Sequence, residues 1–411
     1  MNHKKIRSKD RLISGAMLPL MLMLSGCGGG DTATVTPAAT PVPTPVPTPV
    51  PTPTPTTPTA VTDFLNIDFA NVDNYANPTL PAYYDNTVAA LDNTPGNNQI
   101  EDRVATLGRV LFYDKRLSIN DTIACASCHL QGSGFDDPNR FSTGFSGTAF
   151  TSAHAMRLGN VRYFRPGQMF WNKRAATLED QATQPIQDSV EMGWDAAAGG
   201  IPALLTKMRA NPYYGEMFTF AFGNATITEQ GIQRALAQFQ RAMISSNSRW
   251  DTAYAQVFSA TAQNRNINVN LPGFSAQENR GRQLYMTPPN NGGAGCVACH
   301  TAPTYALTAN SRSNGLDAGE TVIFKSPSLK SVGLSRAFMH DGRFSTLEQV
   351  VEHYNSGIQN GPALDNRLTR GANPQRLNLS DADKAALVAF LRTLDDPVLT
   401  TDAKFSDPFK M

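Results

Sequence analysis

Two pentapeptides with the same pattern, Cys-x-x-Cys-His, occur in a chain that has only five cysteines. Two cysteines three positions apart and followed at once by histidine form the attachment signature of c-type haem. The thiols become thioethers to the porphyrin, and the histidine is held beneath the iron as its proximal ligand. We therefore predict two covalently bound c-type haems, attached through Cys125, Cys128, His129, Cys296, Cys299 and His300.

Other uses of paired cysteines fit this chain less well. A zinc site of this kind needs its two pairs roughly 15–20 residues apart, whereas Cys128 and Cys296 are separated by most of the chain. A thioredoxin-like redox pair gives no reason for a histidine after both copies. The remaining cysteine, Cys27, has no partner for a disulfide, so haem attachment accounts for the cysteine usage.

The elements that must position the two motifs have helical periodicity. Residues 100–112 place apolar side chains on one face and carry Gly-Arg-x-Leu-aromatic ahead of the first motif, and residues 281–285 repeat that pattern ahead of the second. Long amphipathic helices are predicted at 228–244 and 380–394, where Ser380 is a favourable N-cap. The predicted fold class is all-α, with two cytochrome c-type haem domains related by internal duplication.

The domain organisation follows from these motifs and from composition. We predict a signal peptide at 1–27, a Pro/Thr-rich linker at 28–60, an N-terminal haem domain at 61–248 and a C-terminal haem domain at 270–411. The junction falls near residues 246–275, a stretch rich in Asn, Ser and Gln, as expected for a linker.

The first 27 residues have the features of an export signal. A basic start precedes a short apolar run, and the segment ends in Leu-Ser-Gly-Cys. This end resembles the bacterial lipobox, which implies cleavage before Cys27, acylation of Cys27 and, with Gly28 next to it, sorting to the outer membrane. The alternative is an ordinary signal peptide with an unused cysteine. The proline-rich linker is expected to be an extended spacer that holds the protein off the membrane.

The charge balance excludes a large class of partners. Outside the leader, residues 27–411 contain 30 basic and 33 acidic side chains, a net charge of −3. Nucleic-acid binding and attachment to an acidic membrane surface both need a basic excess. We therefore expect no nucleic-acid partner, and membrane association only through the lipid on Cys27.

The region between the motifs carries a family resemblance. It contains Phe-Trp-Asn-Lys-Arg at 170–174 and Glu-Met-Gly-Trp at 191–194, and the second half adds Phe-Met-His-Asp-Gly at 338–342. Together with the haem motifs, these segments resemble the bacterial di-haem cytochrome c peroxidase and MauG family over nearly all of residues 100–395. The combination is specific, whereas each piece apart from the haem motifs is not.

The resemblance implies roles for four residues. Trp171 would lie between the two haems and couple them electronically, and Gln181, Pro185 and Glu191 follow it at intervals of 10, 14 and 20, as in the family's peroxide pocket. Heterolysis of peroxide needs a base that takes a proton from one oxygen and returns it to the other, and one carboxylate in a nearly dry pocket can do both. Gln181 would orient the peroxide. By type alone, a lone tryptophan is more often a core side chain, and a glutamate in a loop is usually solvated.

The sixth ligand of the second haem iron separates the branches of the family. Peroxidases place a methionine fourteen residues after the histidine of the His-Asp-Gly segment, and counting from His340 gives Tyr354, as in the MauG-like branch. We predict Tyr354 as the ligand, with the adjacent His353 as its competitor. The nearest methionine, Met339, precedes His340 in the chain.

The first haem is expected to have an open face. The histidine in the loop before Trp171 is His154, seventeen residues upstream, and Met156 is a second candidate for a sixth ligand. His154 aligns better with an asparagine beside the family's inter-domain calcium. A Ca²⁺ ion near Ser335 is therefore a further expectation, although a histidine suits calcium poorly, because calcium prefers oxygen ligands.

These features predict a periplasm-facing lipoprotein enzyme that reduces H₂O₂ to water at the haem of the first domain. The resemblance leaves two sources of electrons open. One is a small cytochrome c or cupredoxin, and the other is a protein substrate whose residues are oxidised, as in MauG-like enzymes. A non-enzymatic di-haem electron carrier is the third alternative. The sequence does not indicate the redox potentials, the donor or the oligomeric state.

Overall fold

The computed structural model describes residues 61–165 and 167–410, and these residues are mainly helical. The predicted signal peptide, the linker and Cys27 lie outside the described residues. The α-helices are α1 (Asn86–Ala89), α2 (Asp102–Tyr113), α3 (Leu178–Ala182), α4 (Gly200–Arg209), α5 (Pro212–Phe222), α6 (Glu229–Ala242), α7 (Arg249–Val257), α8 (Ala276–Met286), α9 (Leu347–Glu352), α10 (Asp381–Arg392) and α11 (Pro397–Thr401).

Short segments of other types complete the described fold. Each haem motif begins with a single 3₁₀ turn, at Cys125–Ser127 and at Cys296–Ala298, and α9 continues into a π-helical turn at His353–Gly357. Two small antiparallel pairs are present among the described residues: β1 (His300–Thr301) with β2 (Ala306–Leu307), and β3 (Thr369–Arg370) with β4 (Asn373–Pro374). None of the described helices combines the length and the apolar character that crossing a bilayer requires.

Two helix pairs form the framework behind the haem motifs. Helix α2 packs on α6, and α8 packs on α10. A Cβ atom at Gly108 would lie 2.0 Å from the carbonyl oxygen of Ala235, and one at Gly281 would lie 1.9 Å from that of Ala386. Each glycine therefore permits a helix crossing too close for any side chain. The predicted helices at 100–112, 228–244 and 380–394 are confirmed, with ends shifted by one or two residues.

Capping side chains explain where these helices begin. Thr228 accepts a hydrogen bond from the Gly231 amide at the start of α6, and Ser380 accepts one from the Asp383 amide at the start of α10. Such caps satisfy amides that have no partner within the helix.

Each helix pair is buried in its own apolar cluster. Phe112 and Phe239 lie in the cluster around α2 and α6, and Tyr285 and Phe390 lie in the cluster around α8 and α10. In both pairs the rings contact each other, with centroids 5.4 and 5.3 Å apart. The aromatic residue of each Gly-Arg-x-Leu-aromatic segment therefore anchors the helix that leads to a haem motif.

The C-terminal segment packs against the first cluster. Leu399 and Phe405 are buried in it. The buried Arg109 side chain donates to the carbonyl oxygens of Ala403 and Ser406, both at 2.7 Å. The arginine of the first Gly-Arg-x-Leu segment thus holds the end of the chain, which sequence alone assigns to the second haem domain.

Candidate functional site

The first haem motif presents its histidine in the form that iron binding needs. The His129 amide hydrogen-bonds the Cys125 carbonyl at 3.0 Å, which closes the turn. The Nδ1 atom of His129 lies 3.2 Å from the Phe135 carbonyl oxygen. Because a carbonyl can only accept, Nδ1 carries the proton and Nε2 is left as the metal-binding atom. Burial lowers the pKa of His129, which also favours the neutral ligand form.

The second haem motif opens into a cavity of about 400 Å³. The backbone carbonyl oxygen of His300 accepts a hydrogen bond from the Tyr285 hydroxyl at 2.6 Å, which anchors this motif. Burial, with the charges of Arg157 and Arg367, lowers the pKa of His300 to about 4. Both motif cysteines and His300 line the cavity, together with mainly apolar side chains such as Leu329, Val351 and Leu387. An apolar cavity with two thiols and a neutral imidazole fits a c-type haem.

Tyr354 lies in the wall of the same cavity, as the sequence predicts for a sixth ligand. It projects from the π-helical turn, a local widening of the helix that often occurs at functional sites. The competing residue, His353, is turned to another partner, because its Nε2 atom lies 3.1 Å from the Asn314 carbonyl oxygen. Burial raises the pKa of Tyr354, and the Asn314 amide opposes that shift. The geometry favours Tyr354 over His353.

The sequence identifies Met339 as the nearest methionine, although it precedes His340 in the chain, and the structure places it near Tyr354. The Asn314 side-chain nitrogen lies 3.3 Å from the Met339 sulfur and 3.5 Å from the Tyr354 hydroxyl. Met339 has a positive φ of 73°, so a left-handed turn brings its side chain into the cavity wall. No periodic pattern signals such a turn. The Met339 sulfur and the Tyr354 hydroxyl therefore both lie in the cavity wall beside one amide.

Trp171 also lines this cavity, in an extended loop between β-bridge residues Met169 and Ala175. Its indole nitrogen donates to the His154 carbonyl oxygen at 2.8 Å, and its own carbonyl accepts from the Lys325 amide at 2.7 Å. The His154 carbonyl therefore holds the indole ring, and the Lys325 amide holds the backbone of the same residue.

Glu191 is held on the side of the first haem motif. The amide of Phe145 bonds the carbonyls of Val190 and Glu191, both at 3.1 Å, and the Glu191 amide bonds Asp188 Oδ1 at 3.0 Å. Gly144 allows this approach, because a Cβ there would lie 2.0 Å from the Val190 carbonyl. The Glu191 charge is close enough to raise the pKa of both Cys125 and Cys128, after the larger effect of burial on each.

The protonation of Glu191 suits proton transfer near neutral pH. Burial, with the nearby charge of Asp188, raises the pKa of Glu191 to about 7, while Arg174 acts in the opposite direction. Gln181 lies in α3, and Pro185 follows that helix in the turn that leads to Glu191. The three residues predicted for the peroxide pocket therefore share one short stretch of the chain.

His154 is buried in a cluster of polar groups. Its Nδ1 atom lies 3.2 Å from the carbonyl oxygens of Asn139 and Arg140, and its Nε2 atom lies 3.1 Å from Asp136 Oδ1. Both ring nitrogens therefore face oxygen acceptors, and Met156 lies 3.4 Å from the Lys325 amine. Both side chains line the cavity that contains His300, and the charge of His154 also acts on His129.

Ser335, the residue predicted to lie near a calcium ion, belongs to the same polar cluster. Its hydroxyl donates to Asp136 and accepts from Arg157 Nη1 at 2.6 Å. Arg157 Nη1 also lies 3.6 Å from Asp136 Oδ2. A guanidinium therefore already neutralises this carboxylate, and its positive charge would repel a divalent cation. These residues fit Ca²⁺ poorly.

The chain is thus mainly helical, with two Cys-x-x-Cys-His motifs and with Trp171 between them in the sequence. A family model described as di-haem cytochrome c peroxidase matches residues 102–257. The methylamine utilization protein MauG of Methylorubrum extorquens is 30% identical over 318 residues, covering 73% of this chain and 80% of that protein. MauG of Methylophilus methylotrophus is 29% identical over 326 residues, covering 75% and 87%.

Solved structures agree with these relatives. The crystal structure of a MauG-like protein associated with microbial copper homeostasis matches with a TM-score of 0.63 and 29% identity, covering 81% of this chain and 99% of that one. The chain belongs to the di-haem cytochrome c peroxidase family, which includes the MauG proteins. It is an oxidoreductase that acts on peroxide, and the predicted family membership is confirmed.

Proposed function

We propose that the protein reduces H₂O₂ at the haem held by Cys125, Cys128 and His129, with Glu191 as the proton-transfer group. The balanced reaction is H₂O₂ + 2 e⁻ + 2 H⁺ → 2 H₂O, and the two electrons come from a small redox protein of the cytochrome c or cupredoxin class. When bound, the haem supplies the redox chemistry that cleaves the O–O bond. The single observation that carries the proposal is the Glu191 carboxyl, with its pKa near 7, beside the first motif.

Glu191 can take a proton from one peroxide oxygen and return it to the other. A carboxyl with a pKa near the working pH both accepts and donates a proton readily. Its ordinary value of 4.5 would make it a weak base, and the shift to about 7 corrects this. Gln181 would orient the peroxide by hydrogen bonding, and Pro185 would shape the turn that brings Glu191 to the pocket.

Trp171 would couple the first haem to the second. Its indole and backbone hydrogen bonds to His154 and Lys325 hold it rigidly, which favours electron transfer at a fixed distance. In this proposal His300 and Tyr354 hold the second haem, which stores or relays the other oxidising equivalent. Both irons need a neutral histidine on one side, and burial lowers the pKa of His129 and of His300 accordingly.

The MauG-like alternative is favoured by one observation, the placement of Tyr354 in the cavity wall. A phenolate is a hard anionic ligand that lowers a haem potential, whereas methionine raises it. A haem with Tyr354 would receive electrons poorly from a high-potential donor. It would suit an enzyme that draws electrons from residues of a partner protein. If Met339 occupied that position instead, the peroxidase with a small redox donor would be favoured.

The architectural part of the proposal is an internal duplication of two cytochrome c domains, at 61–248 and 270–411. The paired close crossings at Gly108 and Gly281 support it, as does the same aromatic contact behind each crossing. We further propose export to the periplasm and anchoring to the outer membrane through a lipid on Cys27. We do not include Ca²⁺, because Arg157 already pairs with the carboxylate near Ser335.

Steady-state turnover of H₂O₂ with different electron donors tests the proposal. The holoprotein, with both haems confirmed by haem stoichiometry, is supplied with reduced cytochrome c, a reduced cupredoxin or neither. Rapid donor oxidation supports the peroxidase. Slow turnover with both donors, together with oxidation of tyrosine or tryptophan residues in a partner protein, supports the MauG-like alternative. Inertness to H₂O₂ in every arm would leave the electron carrier and refute the proposal.

A further inference from the structure

Lys325 is a buried cation without an anionic partner among the residues that the structure describes. Its side chain is in the wall of the cavity that contains His300, and the residue is only 3% exposed. Its amine contacts the Met156 sulfur at 3.4 Å and lies 4.8 Å from the centre of the Phe164 ring. A buried ammonium with such neighbours is unfavourable unless an anion joins it. None of the described residues pairs a carboxylate with the Lys325 amine.

Neighbouring groups increase this need for negative charge. Burial, with the charge of Lys173, lowers the pKa of Lys325 to about 8. The Arg157 guanidinium is also in the cavity wall, and its Nε–H is buried without a hydrogen-bond partner. Asp136, the carboxylate nearest to Arg157, is already shared with His154. The cavity wall therefore offers two cationic side chains with spare donor capacity: Lys325 Nζ has no anionic partner among the described residues, and Arg157 Nε has no hydrogen bond.

The c-type haem that fits this cavity carries carboxylates that could pair with these cationic side chains. A c-type haem is attached by its vinyl edge, and its two propionates extend from the opposite edge of the macrocycle. The charged groups that act on the Cys299 thiol are Arg367 and Asp365, so the cysteine end of the cavity has its own ion pair. Lys325 has different neighbours, because its amine lies against Met156 and Phe164.

We propose that Lys325 and Arg157 form a carboxylate-binding subsite that holds the propionates of the haem attached at His300. The Lys325 amide donates to the Trp171 carbonyl at 2.7 Å. The same residue would therefore hold the propionate edge of the second haem beside the loop that carries Trp171. This goes beyond the proposed reaction, because it requires a haem at His300 but no particular role for Glu191.

The test compares holoprotein variants that differ in charge at position 325. Lys325→Met keeps the length of the side chain and removes its charge, Lys325→Arg keeps the charge, and Lys115→Met removes an exposed lysine as the control. The measurements are the midpoint potential of the His300 haem by spectroelectrochemistry and the propionate bending bands by resonance Raman spectroscopy. Haem stoichiometry first establishes that each variant carries both haems.

Lys325→Met is expected to lower the midpoint potential of the His300 haem, since a nearby positive charge stabilises the reduced iron. It is also expected to shift one propionate band, while Lys325→Arg retains the wild-type potential and Lys115→Met changes neither readout. Unchanged potential and bands in Lys325→Met would overturn the proposal. If Lys325→Met fails to assemble with both haems, Lys325→Arg and Arg157→Lys provide the test. Each of these variants is expected to shift a propionate band. Unshifted bands in both variants would overturn the proposal.

A free anion is the other source of the same chemistry. If a buffer carboxylate rather than a propionate paired with Lys325, the wild-type potential would depend on acetate concentration at constant ionic strength. We expect no such dependence, and finding one would overturn the assignment to the propionates. The midpoint potential and the propionate bands do not depend on whether Glu191→Gln keeps or loses peroxide turnover. The two proposals can therefore fail separately.

Discussion

Replacing Glu191 with glutamine removes the proton-transfer group while keeping the size of the side chain. The expected result is a loss of about 100- to 10,000-fold in kcat/KM for H₂O₂, or about 3–5 kcal/mol of transition-state stabilisation, which is the usual contribution of a positioned acid–base group. Both haems should remain bound, because the carboxyl is not a haem ligand. Stopped-flow measurement of the reaction with H₂O₂ gives the rate, and haem stoichiometry is the control.

The pH profile of the wild type gives a sharper form of this prediction. Since the pKa of Glu191 is raised to about 7, roughly half of the carboxyl is the required base at pH 7 and about one tenth at pH 6. The rate should therefore rise with pH through about 7 and fall about tenfold per unit on the acid side. This acid limb of the pH profile should be absent in Glu191→Gln.

Replacing two charged neighbours of Glu191, one at a time, should shift the acid limb of the pH profile in opposite directions. The charge of Asp188 raises the pKa of Glu191 and the charge of Arg174 lowers it. Asp188→Asn keeps the oxygen that accepts the Val190 and Glu191 amides, so it should shift the limb to lower pH without disturbing the turn. Arg174→Gln should shift it to higher pH. An acid limb that stays in place in both variants, or survives in Glu191→Gln, would refute the assignment of the base.

Three further predictions follow from the geometry. Tyr354→Phe should convert the low-spin ferric signal of the second haem, as seen by EPR, to a high-spin or a methionine-ligated one through Met339; an untouched signal would remove Tyr354 as the ligand. Gly281→Ala should destabilise the holoprotein by about 1–3 kcal/mol in urea unfolding, since overpacking at a close helix crossing forces the backbones apart, whereas the open position Gly96→Ala should not; equal midpoints would contradict the packing. Cys27→Ser should release the protein from the membrane fraction, and retention there would exclude the lipid anchor.

The helices behind the Cys-x-x-Cys-His motifs could be predicted from sequence for a physical reason, and haem attachment at those motifs stays a prediction. The Cys-x-x-Cys-His motif is local, and an amphipathic helix reveals itself by periodicity over a dozen residues. The fit of the second cavity to a haem follows from Cys296, Cys299 and His300 together with apolar residues such as Leu387. The family resemblance added Trp171 and Glu191, whose roles remain predictions.

Other features depend on contacts between distant residues and had no local signal. Met339 reaches the Tyr354 side of the cavity through a left-handed turn, and Asn314 contacts both of them although no motif includes it. The lack of an anionic partner for the buried Lys325 amine, among the residues that the structure describes, is visible only once burial is known. The calcium expectation is weakened by Arg157, which sequence spacing could not place beside Ser335.

The inequality of the two irons is the central feature of the proposed enzyme, and EPR of the ferric holoprotein before and after addition of H₂O₂ tests it most directly. We expect one high-spin signal from the haem on His129, whose face we predict to be open, and one low-spin signal from the haem on His300. Both signals should change when H₂O₂ is added. A single haem, or two low-spin signals that H₂O₂ leaves unchanged, would contradict the proposed enzyme.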